Sequence, residues 1–315
     1  MAVRAYATPS EGSSSLVRWL KNERNWMPYL FVAPFFLTFI VFSLYPLITS
    51  LIMPFQKAVG FEGKFAWVGF DNFKEMFVGQ FTREGYFHAL RNFFFFGIGS
   101  LVTQMPSAFI IALLLSSPRL RLKGLWRSLL FVPGMLPGVT IGVLGGWFFN
   151  PTRGLINAIL GVLGQDPINY QYMPDLIVPG MLLMSFWQWT GYHAVFMLAA
   201  ITNIDPSLTE AAVVDGATYW QQARYIVMPM IKPVLTFIIL SSVLGSLGLY
   251  ELPLFMYPNN PGGQANTFMG LIVSNIRSNN LGLATAMGWV VYVLGIGVMF
   301  IQVRALGLRR QTEGD

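Results

Sequence analysis

Long apolar stretches recur along the chain and are separated by shorter polar connections. A helix needs about twenty apolar residues to cross a bilayer, and several stretches reach that length. We predict membrane spans over residues 28–53, 90–116, 126–149, 176–203, 234–257 and 282–306. The pattern therefore predicts an all-α, polytopic membrane protein with six transmembrane helices.

Composition agrees with this pattern. Hydrophobic residues make up 54% of the 315 residues and charged residues only 11%, whereas soluble domains carry about a quarter charged residues. The chain contains no cysteine, which excludes disulfides, thiolate metal sites and cysteine nucleophiles. The net charge of +6 comes from basic residues beside the apolar stretches, so it indicates membrane orientation and not a nucleic-acid partner.

Basic residues lie unequally on the two sides of the predicted spans. Multi-pass proteins concentrate Lys and Arg in cytoplasmic loops, and the segment 118–127 carries four basic residues without an acid. This bias predicts that both termini are cytoplasmic. We expect a cytoplasmic segment over 1–27, a membrane domain over 28–306 and a cytoplasmic tail over 307–315. The first segment lacks a cleavable leader pattern, so the first apolar stretch is expected to stay in the protein.

Prolines interrupt the apolar stretches. A proline frees a carbonyl group that hydrocarbon cannot satisfy, so a broken helix must pack against protein or line a watery path. Together these prolines favour a dynamic bundle over simple lipid anchors, although membrane helices also tolerate single prolines. The residues are Pro34, Pro46, Pro106, Pro133, Pro137, Pro179 and Pro253.

The polar connection between the fourth and fifth predicted spans predicts two short helices. Asp205 followed by Pro206 fits an N-cap and a first-turn proline. Gly216 breaks the first helix, and Pro229 with Pro233 ends the second before the fifth span. The result is a rigid elbow at the cytoplasmic surface.

Side chains of this elbow leave its role open. Ser207 and Glu210 offer an alternative capping box. Ala211 and Ala212 form a low face that another protein could approach closely. Helix signals alone favour an interfacial connector without a partner over a docking element.

The elbow also carries fixed identities at fixed gaps: Glu210-Ala211-Ala212, then Gly216, Ile226, Met228 and Pro229. This spacing resembles the signature of permease subunits of binding-protein-dependent ABC importers, with Met228 in place of the usual Leu. The resemblance implies that the elbow, about 205–229, is a coupling helix that sits in a groove of an ATPase subunit. The coupling residues it implies are Glu210, Ala211, Ala212, Asp215, Gly216, Ile226 and Pro229.

Other segments resemble the carbohydrate branch of this family, specifically its maltose- and glycerol-phosphate-type first permease. They are residues 29–34, 68–73, 149–151, 154–157 and 215–220, whereas 260–263 departs from the pattern. The resemblance implies the type I ABC importer permease fold in a bacterial inner membrane. It further implies a second permease subunit, two ATPase subunits, an external solute-binding protein, a sugar or oligosaccharide substrate, contact with lipid and no nucleic acid.

The chain lacks the phosphate-binding loop that ATP hydrolysis needs. Gly63 and Lys64 are followed by Phe65 and lack the upstream glycine. We expect no catalytic residue and no cofactor in this chain, with ATP and Mg bound by the partner ATPase subunits. His88 and His193 stand alone without metal-ligand spacing, so no metal site is predicted.

The fourth and fifth spans carry polar and aromatic residues where lipid-facing side chains would be apolar. Aromatic faces together with hydrogen-bonding groups suit sugars. The fourth span has Trp187, Gln188, Trp189, Thr190, Gly191, Tyr192 and His193, and the fifth has Ser246, Tyr250 and Glu251. Resemblance to the maltose-type permease implies sugar contacts at Trp187, Thr190, Gly191, Ala194, Ser246, Leu249, Tyr250 and Pro253. We therefore predict a substrate pathway at Trp187, Gln188, Thr190, Gly191, Ser246, Leu249, Tyr250 and Glu251. The alternative for the tryptophans is an interfacial belt or packing between helices.

Glu251 is the only acid well inside a predicted span. A carboxylate at that depth marks a pathway or a buried structural pair, and both interpretations stay open. No Lys or Arg lies deep in a span, which favours a neutral sugar over glycerol phosphate, with polyol import a further alternative. The rival class is a proton-coupled secondary transporter with Glu251 as proton carrier. A membrane-embedded enzyme lacks any constellation of nucleophile, base or metal.

The orientation can be tested with introduced cysteines, because the chain has none of its own. Cysteines at Asp71 and Gln264 should react with a membrane-impermeant thiol reagent in intact cells, because both positions are predicted to be external. Cysteines at Lys123 and Thr218 should stay unlabelled until the cells are opened. Mass-shift labelling of the purified chain measures the reaction, and the opposite pattern would overturn the orientation.

Overall fold

The computed structural model describes residues 23–59, 64–170, 173–260 and 263–305. Most of the predicted N-terminal segment and the predicted tail lie outside these residues. By its internal contacts the chain divides into two units, Met1–Met53 and Pro54–Asp315. Each unit is described by itself.

The first unit contains the first predicted span. Helix α1 (Glu23–Phe39) leads through a π-helical turn (Ile40–Leu44) into α2 (Tyr45–Ile52). Residues 26–52 contain no charged side chain and are mostly apolar, as a lipid-spanning helix requires. A 3₁₀ turn (Met53–Phe55) follows.

The second unit opens with a small hairpin. Strands β1 (Gln56–Val59) and β2 (Lys64–Trp67) pair antiparallel, with Gln56 opposite Trp67. Helix α3 (Asp71–Val78) follows. The buried Asn72 donates from Nδ2 to the carbonyl oxygens of Pro54 at 2.8 Å and Gln56 at 2.9 Å, which fixes the hairpin against α3.

The remaining helices differ widely in length, and only some of them correspond to single predicted spans. They are α4 (Gln80–Ser116), α5 (Lys123–Met135), α6 (Gly138–Phe148), α7 (Leu155–Val162), α8 (Pro174–Thr202), α9 (Pro206–Val214), α10 (Tyr219–Gln222), α11 (Met228–Met230), α12 (Lys232–Leu247), α13 (Glu251–Met256), α14 (Phe268–Arg277) and α15 (Leu281–Ala305). Three of the described helical runs are long and apolar enough to cross a membrane: Trp26–Phe55, Arg83–Ser116 and Leu281–Arg304.

Two bent helix pairs raise that number to five if each pair counts as one span. Lys123–Met135 meets Gly138–Phe148 at 94°, and Tyr219–Met230 meets Lys232–Leu247 at 72°. The fourth predicted span corresponds to α8, which has 29 residues but a polar centre that lowers its hydropathy. Length and hydropathy of the described residues therefore do not by themselves yield six spans.

The third and fifth predicted spans are both broken, as the prolines within them indicated. Leu136 adopts an extended backbone (φ −73°, ψ 138°) between α5 and α6. Pro137 explains this break, because the residue before a proline is pushed out of the helical region. In the fifth span α12 ends at Leu247 and α13 begins at Glu251.

Two π-helical turns each precede a proline. Tyr45 N–H donates to the oxygen of Ile40 just before Pro46, and Met228 N–H donates to that of Ala223 just before Pro229. A proline lacks the N–H that an α-helix uses at this point. The wider π turn shifts the hydrogen-bond register around the gap, so both helices continue beyond their proline.

Helix α8 lies at the centre of the packed core. Its outer half joins α6 and α13 through Ile141, Ile177 and Met256, all almost fully buried. Its other half joins α4 and α12 in a second cluster that includes Ala194 and Met197. A methyl group at Gly191 would overlap the carbonyl group of Leu130, so glycine allows α5 to approach α8 closely.

Candidate functional site

A cavity of about 680 Å³ lies between α4, α8, α12 and the two helix breaks. Its hydrogen-bonding side chains are Ser100, Gln104, Ser185, Gln188, His193, Ser241, Ser242, Ser246 and Glu251. Its aromatic side chains are Phe96, Trp189, Tyr192 and Tyr250. The cavity thus combines ring faces with hydroxyl, amide and carboxylate groups.

The break between α5 and α6 is held by a side chain from α8. Gln188, which is 5% exposed, donates from Nε2 to the carbonyl oxygen of Leu136 at 3.1 Å. An unpaired backbone carbonyl inside a bilayer costs several kcal/mol. Gln188 satisfies the carbonyl group that the break at Pro137 releases.

The N-terminus of α6 is capped by the carboxylate of Glu251. Its Oε2 accepts a hydrogen bond from Val139 N–H at 3.1 Å. Gly138 leaves room for this contact, because a methyl group there would overlap Oε2. The partial positive charge of a helix N-terminus favours a carboxylate. Glu251 therefore has a structural partner in the backbone of α6, and it also lines the cavity.

A polar group of side chains lies on the α4 side of the cavity. Gln104 donates from Nε2 to Ser185 Oγ at 3.0 Å, and both residues are buried. The buried atoms Ser100 Oγ and His193 Nδ1 have no hydrogen-bond partner among the described residues. Buried polar groups normally have a partner, so these atoms suit a hydroxyl-bearing ligand or water in the cavity.

Aromatic rings cover the neighbouring wall. The rings of Trp189 and Tyr192 meet edge to face, with centroids 5.5 Å apart. Trp189 also stacks on the His193 ring at 6.3 Å. These contacts hold the rings in defined orientations, so the wall presents fixed aromatic surfaces.

Some of the predicted pathway residues line the central cavity and the others do not. Those that line the cavity are Gln188, Ser246, Leu249, Tyr250 and Glu251. Trp187 is 44% exposed, and it is not among the lining residues. Thr190 is buried with its Oγ1 unpartnered among the described residues, Gly191 packs on α5, and Ala194 lies in the core. Pro253 lines a second, smaller cavity.

Helical geometry explains which residues of α8 were missed. Ser185, Gln188, Trp189, Tyr192 and His193 recur at the three- and four-residue spacing of one helix face, and all five line the cavity. That periodicity was available in the sequence once Gln188 was chosen. Trp189, Tyr192 and His193 belong to the polar and aromatic stretch noted in the sequence but were left out of the predicted pathway, whereas Ser100, Gln104, Ser185, Ser241 and Ser242 were missed altogether.

The elbow has the two-helix form that was predicted from its sequence. Asp205 caps α9 by accepting from Ser207 N–H at 2.9 Å, and this contact holds the pKa of the Asp205 carboxyl below its usual range. The alternative box of Ser207 and Glu210 is not the N-cap. Gly216 ends the helix with a φ of +79°, where glycine has no steric cost.

The second elbow helix begins with a capping box between Thr218 and Gln221. It passes through the π turn and ends at Met230, between the two prolines, Pro229 and Pro233, that were predicted to end it. Pro233 lies in the first turn of α12. Tyr219 donates from Oη to the carbonyl oxygen of Leu113 at 2.8 Å, which ties the elbow to the end of α4.

The exposed surface of the elbow carries several large apolar side chains beside charged ones. The large side chains Val213, Val214, Trp220 and Tyr225 are 61% to 86% exposed. Glu210, Ala211, Asp215, Gly216 and Pro229 are exposed as well, and Ala212 and Ile226 are half-buried. The residues of the predicted coupling signature thus lie close in sequence to the exposed apolar side chains of the elbow.

Residues 19–311 match a family described as "Binding-protein-dependent transport system inner membrane component". The chain belongs to this family. It is a multi-pass permease of the inner membrane, with the ABC importer permease fold. The permease is thus a transporter component, consistent with a sequence that lacks a phosphate-binding loop.

Curated relatives match this permease over nearly its whole length. The arabinooligosaccharides transport system permease protein AraP of Bacillus subtilis (strain 168) is 29% identical over 305 residues, which are 96% of this chain and 95% of AraP. The lactose transport system permease protein LacF of Rhizobium radiobacter is 29% identical over 298 residues, covering 92% and 97% of the two chains.

A solved structure shares the fold. The crystal structure of a bacterial ABC transporter involved in the import of the acidic polysaccharide alginate matches with a TM-score of 0.80 and 24% identity. The match covers 93% of this permease and 99% of that chain. At this identity the similarity establishes the fold alone.

Removing the Glu251 cap should destabilise the helix break. Glu251→Ala leaves the N-terminus of α6 uncapped and should cost about 0.5–2 kcal/mol. Glu251→Gln keeps an acceptor oxygen and loses only the charge, so its cost should be about 0.3–1 kcal/mol. Thermal unfolding of the purified protein measures both. Ser241→Ala, at a cavity residue remote from this cap, is the matched control, and equal stability of all three variants would refute the capping role.

Proposed function

We propose that this permease forms half of the translocation pathway of an ATP-driven importer for a sugar or oligosaccharide. The observation that carries the proposal is the central cavity, where aromatic rings lie beside buried hydrogen-bonding atoms without partners. A sugar presents C–H faces that pack on rings and hydroxyl groups that both donate and accept. The cargoes in the names of AraP and LacF are saccharides, which supports the same class.

The lining divides the expected contacts between two kinds of residue. Trp189, Tyr192 and Tyr250 offer ring surfaces to the sugar. Ser100 Oγ and His193 Nδ1 offer hydrogen bonds that the described residues leave open. A cavity of about 680 Å³ is within the usual range for small-molecule sites, roughly 300–1,000 Å³.

Energy for transport would come from partner subunits. We infer that the exposed apolar surface of the elbow docks on an ATPase subunit, because such a surface in water marks a protein contact. The assembly would contain a second permease, two ATPase subunits that bind ATP and Mg, and an external solute-binding protein. The name of the family requires a binding protein, and a solved relative is described in complex with a pentasaccharide-bound periplasmic protein.

A proton-coupled carrier fits the geometry less well. Glu251 would have to release and rebind a proton during each cycle, yet its Oε2 caps α6. Protonation would remove the charge that the helix terminus favours. Among the residues that line the cavity, Glu251 is the only acid, so the described residues offer no carboxylate relay.

Uptake into vesicles separates the two mechanisms. The permease with its partner subunits should take up arabino-oligosaccharide or lactose when ATP is supplied and the proton gradient is collapsed. Trp189→Ala should slow uptake about threefold to tenfold, because it removes an aromatic face worth on the order of 1 kcal/mol. Trp187→Ala, two residues away and outside the cavity, is the matched control.

Basal ATP hydrolysis should stay unchanged in both tryptophan variants, which shows that the complex has assembled. Uptake that stops with the gradient although ATP is present would favour the proton-coupled carrier. Equal uptake by both variants would remove Trp189 from the pathway and leave the cavity assignment without support.

The elbow can be tested separately from the cavity. Gly216→Val forces a β-branched residue into a left-handed conformation, and Glu210→Lys reverses a charge on the exposed face. Each should abolish most of the substrate-stimulated ATP hydrolysis of the assembled complex. Gly216→Asn, which tolerates this conformation, should retain most of it. Normal stimulation in the valine and lysine variants would contradict docking through the elbow.

A further inference from the structure

A second cavity, of about 230 Å³, shares Tyr250 with the central cavity. It is formed by α13, α14 and the loop between them, which the charge distribution predicts to be external. Its polar lining residues are Tyr250, Asn260, Asn266, Thr267, Ser274 and Arg277. A solute that reaches the central cavity from outside would meet this outer cavity first.

Arg277 is the cationic residue of the outer cavity. It is the last residue of α14, and its Nη2 donates to Tyr250 Oη at 3.1 Å. No Lys or Arg lies deep in a predicted span, and Arg277 stands outside all six. Its long side chain nevertheless contacts Tyr250, which lines the central cavity.

Most of the hydrogen-bond donors of the Arg277 guanidinium group are not used by the contact with Tyr250. It has five N–H donors, and a neutral hydroxyl occupies one of them. No ion pair among the described residues involves Arg277. The nearest acid along the pathway is Glu251, and its carboxylate is turned to the backbone of α6. A carboxylate or phosphate on a solute would be a stronger partner than Tyr250.

The wall of the outer cavity is held in place by side-chain amides. Asn92, which is 1% exposed, donates from Nδ2 to the carbonyl oxygens of Gln264 at 2.6 Å and Asn266 at 2.9 Å. Asn260 donates from Nδ2 to Asn266 Oδ1 at 2.7 Å and accepts from Ala265 N–H at 2.7 Å. Asn260 and residues 264–266 are thus held in place, so a ligand would not have to order this part of the wall on binding.

We propose that the outer cavity, where Arg277 adjoins Tyr250 and a fixed amide wall, binds the oxyanion of a charged saccharide or polyol. The oxyanion is a sugar carboxylate or a phosphate ester, and it pairs with the guanidinium group in the two-pronged geometry that arginine favours. Tyr250 releases Arg277 when the anion arrives. The inference rests on the proposed function, since it assigns the charge class of the same transported solute.

Cysteine protection measures binding in the outer cavity without requiring transport. Ser274→Cys places a thiol in its wall, and the chain has no other cysteine. An uncharged maleimide labels it in the assembled complex, since a charged reagent would itself interact with Arg277. Trigalacturonate, galactotriose and sn-glycerol 3-phosphate are the probes. Trigalacturonate or the phosphate should slow labelling at concentrations where neutral galactotriose has no effect.

Two variants assign the effect to Arg277. Arg277→Gln in the Ser274→Cys background should raise the anion concentration needed for protection about tenfold or more, because a charge-assisted contact is lost. Tyr250→Phe should keep the protection or strengthen it, since Arg277 loses its competing acceptor. A loss in Tyr250→Phe equal to that in Arg277→Gln would mean that Arg277 acts only through Tyr250, and it would overturn the proposal.

The pattern of protection by the three probes identifies the kind of ligand that the outer cavity binds. Protection by trigalacturonate alone supports a uronate, protection by glycerol phosphate alone supports a phosphate ester, and protection by both supports a general oxyanion site. Equal protection by galactotriose, or none by either anion, overturns the proposal. A cysteine at Ser241 in the central cavity reports the proposed function independently, because galactotriose at high concentration should protect it whether or not the outer cavity selects anions.

Discussion

Hydrocarbon offers no partner to a backbone N–H or carbonyl group, and this constraint governs the break between α5 and α6. The turn at Leu136 and Pro137 leaves a carbonyl group at the end of one helix and a free N–H at the start of the next. Gln188 from α8 supplies the donor and Glu251 from α13 supplies the acceptor. The 94° bend and the wall that α6 forms both depend on these two contacts.

The bend borders the central cavity, and one helix connects that cavity to the elbow. Helix α4 lines the cavity through Ser100 and Gln104, and its Leu113 carbonyl group accepts the hydroxyl of Tyr219 in the elbow. Leu113 lies nine positions after Gln104 in the same helix, a distance of about 14 Å along the axis. A displacement of the elbow by an ATPase subunit would therefore act on the cavity through a single rigid element.

The sequence predicted features that depend on local chemistry, and it failed where long side chains cross between elements. Asp205 as N-cap and Gly216 as helix terminator follow from their own neighbours along the chain. Trp187 entered the predicted pathway and Trp189 did not, because the selection followed the resemblance to the maltose-type permease and not helical periodicity, which distinguishes the faces of a helix. Ser100 and Gln104 were hidden in an apolar stretch, and the contact of Arg277 with Tyr250 was not predicted because a position along the chain does not show how far a side chain reaches.

The residues that line the central cavity form two groups, which differ in whether they also hydrogen-bond to the backbone at the helix break. Gln188 and Glu251 complete the backbone of a broken helix, whereas Ser241, Trp189 and Tyr192 make no such contact with it. A lineage that acquires new cargo can exchange the second group freely, while any change in the first must be matched by a new partner for Leu136 or Val139. Changes of substrate specificity are therefore expected at one part of the cavity wall. The two polar residues at the helix break, Gln188 and Glu251, are expected to stay the same.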